Sequence, residues 1–178
     1  MTDTGAKITD PGAAPTDAGD KVTDAGATTT GDEATIPSPE AKMTDAEILT
    51  LVDRLERCLL DRTELHHRDH LAVATAYLYA ADFDSALSRM RATLLRFAAH
   101  HGVPNLYHET LTRFWMSEIS RRLDRTLCLR ESVARIQAAL ADKDLPFTYY
   151  RKETLNSPEA KKTFVEPDVT RRDLIAPA

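Results

Sequence analysis

A chain of 178 residues with a formal net charge of -5 has room for one domain of ordinary size. Residues 1–42 carry eight acidic and three basic side chains, so the whole acidic excess lies there and the remainder holds twenty of each sign. A neutral body offers no basic stripe to nucleic acid, and no apolar run approaches the roughly 20 residues that span a bilayer.

In chain order, the first segment contains four copies of Thr-Asp-x-Gly at a period of seven, beginning at Thr2, Thr9, Thr16 and Thr23. A heptad period suggests a coiled coil, yet the repeated positions are Gly, Asp and Thr and no apolar seam exists to bury. Five of the six glycines lie here, with prolines at 11, 15, 37 and 39. Residues 1–42 therefore read as a disordered low-complexity tail, and 43–178 as the folded domain. The N-terminus also lacks the basic-then-apolar order of a secretory signal. A cytoplasmic protein is expected, with a small-molecule substrate and no nucleic-acid or membrane partner.

After residue 42 only Gly102 remains of the glycines, and no β-branched run is bounded by turn residues, so strands are not expected. Thr44 with Glu47 makes a capping box ahead of Ile48, Val52, Leu55 and Leu59, predicting a first helix over about 45–60. A second is predicted over about 67–81, burying Leu71, Ala74 and Leu78. A third, over about 83–101, buries Ala86, Leu87, Met90, Leu94 and Phe97 and stops at Gly102. The fourth, over about 106–123, carries Leu111, Phe114, Trp115 and Ile119; the fifth, over about 129–141, carries Val133, Ile136 and Leu140. Ser157-Pro158 supplies a cap and a first-turn proline for a short closing helix to about Phe164. The fold class expected is all-α: a four- or five-helix bundle with a short closing helix, whose sites would be built from facing helices. Cys58 and Cys128 read as reduced thiols packed as small hydrophobes.

All six histidines fall between 66 and 108. In a helix His67 and His70 are three apart and share one face, so both can address one ion, and His108 is the natural third ligand. Three neutral imidazoles suit zinc with an open position for water, while two with a carboxylate suit non-haem iron. A divalent ion, Zn or Fe, is thus the cofactor expected at His67, His70 and His108. It would activate water or polarise a substrate oxygen, with Glu109 moving the proton. Adjacent helical residues point about 100° apart, so one of His108 and Glu109 would stand behind the other. Thr112, four residues after His108, would orient it. Asp69 is a candidate to brace a ligating imidazole. His100 and His101, just before Gly102, read as cations at a helix end. Tyr77, Phe97, Phe114 and Trp115 read as core.

The segments Leu65-His66-His67-Arg68-Asp69-His70-Leu71, Tyr107-His108-Glu109-Thr110-Leu111-Thr112, Ser157-Pro158-Glu159-Ala160 and Glu166-Pro167-Asp168 resemble a group of short all-helical bacterial proteins. That group often shows threonine before His-x-x-His-Leu, then Tyr-His-Glu-Thr-[Ile/Leu]-Thr, then Ser-Pro-Glu-Ala with a final Glu-Pro-Asp. His66 stands where the group often has threonine. The resemblance spans about residues 60–170; it implies a shared site and names no reaction.

These features predict a small metal-dependent enzyme acting on a polar metabolite, a lyase, hydrolase or oxygenase. Tyr150 and Arg151 would help hold an anionic substrate. Two alternatives are a non-catalytic helical module that binds a small ligand or partner protein, and metal-free acid and base catalysis by His108 and Glu109.

Overall fold

The computed structural model describes residues 42–169; the repeat segment expected as a tail lies outside them, apart from Lys42. Seven α-helices run in order among the described residues: α1 (Asp45–Glu56), α2 (His67–Ala80), α3 (Phe83–His100), α4 (Glu109–Arg122), α5 (Leu129–Ala139), α6 (Lys152–Asn156) and α7 (Pro158–Lys162). Short 3-10 turns stand at Pro104–Leu106 and Leu145–Thr148. The all-helical expectation holds, with two short closing helices where the sequence predicts one. Among the described residues no helix is long and apolar enough to cross a membrane.

The helix starts obey cap chemistry. Thr44 and Glu47 form the capping box of α1, with the Thr44 N–H donating to the Glu47 carboxylate at 2.7 Å and the Glu47 N–H to the Thr44 hydroxyl at 3.2 Å. Asp82 caps α3 through the Ser85 N–H at 2.9 Å, and Ser157 caps α7 through the Ala160 N–H at 3.1 Å. Helix α1 stops at Glu56, four residues before the predicted end, because Cys58 takes a left-handed φ of 55° that no helix continues through. At the end of α3, Gly102 has φ 68°. Its N–H bonds the Ala99 carbonyl and the Val103 N–H bonds that of Ala98 at 2.8 Å, the two bonds of a Schellman stop, which needs glycine at the left-handed position.

Helix α2 is the centre of the domain. Every residue from Leu71 to Leu78 is buried, which a surface helix with one apolar face cannot achieve, and α1, α3, α4 and α5 all pack on it. Ile48, Leu55, Leu71, Leu78, Met116, Ile119, Ile136 and Leu140 are each at most 2 % exposed, and each such side chain contributes about 1.5–3 kcal/mol of burial. Thr75 and Tyr77 of this helix are satisfied inside the core. Thr75 donates to the Leu71 carbonyl at 2.7 Å, and the Tyr77 hydroxyl donates to Glu56 at 2.8 Å and lies 3.1 Å from the Thr93 hydroxyl. A second cluster of Phe114, Tyr150 and Leu155 fastens the closing segment to α4.

Candidate functional site

Helices α2, α3 and α4, with the connections before α2 and α4, surround a cavity of about 290 Å³. His67, His70, Leu71 and Ala74 enter from α2, and Met90, Leu94, Phe97 and Ala98 from α3. Leu111, Thr112, Trp115, Met116 and Ile119 enter from α4, with Tyr107 and His108 just ahead of it. The exposed Arg62 and Leu106 form its rim. Its walls are chiefly apolar, and no Asp or Glu among the described residues lines it. Three of the candidate histidines and Thr112 thus meet around one space. Phe97 and Trp115, expected as core, also face it.

The nitrogens of these imidazoles have different fates. The Nε2 of His67 lies 2.9 Å from the Leu140 carbonyl at the C-terminal end of α5, where a helix leaves carbonyls unpaired. A carbonyl only accepts, so Nε2 carries a proton, and in the neutral ring Nδ1 is an acceptor. The His67 ring also packs on Trp115, with centroids 4.7 Å apart.

His108 is the N-cap of α4, which begins at Glu109 rather than near 106. Its Nδ1 accepts the Leu111 N–H at 3.3 Å, and its Nε2 donates to the Leu155 carbonyl at 2.8 Å. One tautomer satisfies both bonds, and neither nitrogen is left for an ion. Thr112 donates its hydroxyl proton to the His108 carbonyl at 2.9 Å, a bond to the backbone of the preceding turn that does not touch the His108 ring. Among the described residues no group of three His, Cys, Asp or Glu side chains is arranged to hold a metal ion.

His70 differs from both neighbours. No hydrogen bond to its ring is formed by any described residue. Burial pushes its pKa from 6.5 down to about 4, helped by the neighbouring His67 and opposed by Asp69. At neutral pH it is an uncharged imidazole with one donor and one acceptor nitrogen.

The predicted proton carrier lies elsewhere. Glu109 is buried and does not line the cavity. Arg91 grips both carboxylate oxygens, with Nε to Oε2 at 2.8 Å, and the Tyr107 hydroxyl donates to Oε2 at 2.6 Å. Arg91 and Tyr107 hold the Glu109 pKa down, against its burial, and the Tyr107 hydroxyl is pushed up to about 12 by burial and by Glu109. A carboxylate held ionised by two donors is a strut between α3 and α4, and its oxygens are not placed to exchange a proton with the cavity.

Asp69 accepts the His66 N–H at 2.9 Å and closes the first turn of α2 rather than bracing the ring of His67 or His70. Tyr150 is 2 % exposed and donates to the Val165 carbonyl at 3.1 Å. The Arg151 N–H donates to Asp168 at 2.9 Å. Neither residue borders the cavity; both organise the closing segment. His100 and His101 stand at the end of α3, and His101 bonds the Leu60 carbonyl through Nε2 at 3.1 Å. Two residues escape a reading of the sequence: Arg91 as the partner of Glu109, and Arg62 at the rim. Neither placement leaves a local signal in the chain. No protein-family model, curated protein or solved structure matches the chain.

Proposed function

We propose that the chain binds a small, mainly apolar molecule in the cavity between α2, α3 and α4, with His70 and His67 addressing its polar group. The observation that carries this reading is His70, a neutral imidazole without a protein partner on a chiefly apolar space. His70 is half-buried, so its ring offers the cavity an unpaired donor and an unpaired acceptor that a ligand or water can meet. Size agrees: an engineered apolar cavity of about 150 Å³ takes up benzene, and this one is near 290 Å³. It therefore accommodates a bicyclic ring or a short branched chain.

The test is calorimetric titration of the purified chain with indole and with benzofuran, two bicyclic probes of one shape. Binding of either, weakened by Ala98→Leu in a variant with unchanged helical content, supports the reading. No heat from either probe, or equal affinity in the variant, contradicts it.

The metal-dependent reaction expected from the histidine spacing is a second reading of the same space, favoured by the shared cavity of His67 and His70. It requires His108 to release both Leu111 and Leu155, or the bound molecule to complete the ligand set. Zinc titration of the chain and of His67→Ala decides it: tight binding lost in the variant is its expected result, and equal weak binding in both refutes it.

A further inference from the structure

Resting on that reading of the cavity, we infer that its ligand is an uncharged hydrogen-bond donor: an apolar body carrying a hydroxyl or N–H group.

Most protons on the polar groups of the cavity are already committed. His67 gives its N–H to the Leu140 carbonyl, so its free Nδ1 can only accept. Thr112 gives its hydroxyl proton to the His108 carbonyl and keeps an oxygen lone pair. Tyr107 gives its proton to Glu109, and both nitrogens of His108 are engaged. Inside the rim, the uncommitted polar capacity is therefore the acceptor Nδ1 of His67, an acceptor on Thr112, and His70 with one donor and one acceptor nitrogen. Acceptors outnumber donors. A molecule that brings only carbonyl or ether oxygens meets one N–H and leaves the acceptors empty. A molecule that brings O–H or N–H pairs with them.

Charge narrows the class further. No carboxylate among the described residues lines the cavity, so an ammonium entering it would be desolvated without a counter-ion. A carboxylate ligand would meet one cation, Arg62, and that side chain is exposed at the rim, where such a pair is worth little. A neutral donor meets the larger part of that capacity without burying a charge.

Indole and benzofuran separate this inference from the reading beneath it, because they differ by N–H against O, and benzofuran, the more apolar, is favoured by burial alone. Titration of the full chain should show indole bound at least about fivefold tighter, a difference of about one net hydrogen bond. The indole N–H is a strong donor to an imidazole nitrogen, whereas the aromatic furan oxygen is a poor acceptor for the one N–H. Thr112→Val and His67→Phe should each shrink that ratio, with benzofuran affinity retained. Equal or tighter binding of benzofuran overturns the donor inference and leaves the apolar cavity standing. Tightest binding of benzofuran-2-carboxylate overturns it in favour of anion recognition by Arg62. Failure of all three probes overturns the cavity reading, and this inference with it.

Discussion

Protonating His70 is a perturbation whose sign and size both derive from its surroundings. The ring faces the cavity beside His67, with Asp69 the one neighbour favouring the cation, and its pKa falls from 6.5 to about 4. Between those values the unfolded chain takes up a proton that the folded chain refuses, so stability is full above pH 6.5 and declines as pH falls toward 4. At about 1.36 kcal/mol per tenfold change in proton affinity, the loss is on the order of 3 kcal/mol, a sizeable part of the stability of a domain this small. Urea unfolding followed by circular dichroism across that pH range measures it, in the native chain and in His70→Leu. The native chain should lose stability more steeply on acidification, and the difference should close above pH 6.5. Parallel pH curves for the two proteins, or an NMR titration of the His70 ring near its ordinary value, would refute the reasoning.

Other perturbations test the same contacts. Arg91→Met strands the Glu109 carboxylate and should destabilise the chain by roughly 2 kcal/mol, at the low side for a broken pair because Arg91 is 39 % exposed. A loss within error in urea unfolding would show the strut to be idle. His108→Ala removes the cap of α4 and the bond to Leu155, about 1 kcal/mol each; His108→Asn should keep roughly half of that total if capping is its role, and thermal melts of both variants check it. Gly102→Ala forces a side chain into φ 68° and should cost about 1–2 kcal/mol, whereas no change in melting temperature would contradict the Schellman stop.

How much of the fold is legible in the sequence depends on how local the deciding contact is. The starts of α1 and α7 and the end of α3 are readable because Thr44 with Glu47, Ser157-Pro158 and Gly102 act within one turn of chain. The apolar spacing of Leu111, Phe114, Trp115 and Ile119 predicts a fourth helix that begins near 106. In the structure Pro104–Leu106 is a separate turn, and His108 caps a helix that begins only at Glu109.

At the site, spacing alone puts His67 with His70 and His108 with Thr112 on common helix faces. What spacing cannot supply is the use of each ring nitrogen. That depends on the carbonyls of Leu140 and Leu155, which lie 73 and 47 positions from the histidines they meet. Glu109 is the same case. Beside His108 in sequence it looks like a proton carrier, but Arg91, 18 positions earlier on α3, makes it a fixed anion. Likewise Trp115 is readable as part of an apolar helix face, yet whether it meets another side chain or an open space is decided by α2 and α3.

Trp115 is the only tryptophan in the chain and lines the cavity, so its single indole N–H resonance reports directly on whether the cavity fills. In isotope-labelled protein titrated with unlabelled indole, that resonance should shift saturably in the native chain and stay fixed in Ala98→Leu, where added bulk takes up the space. A resonance unmoved in the native chain, or moved identically in the filled variant, would contradict binding in the cavity.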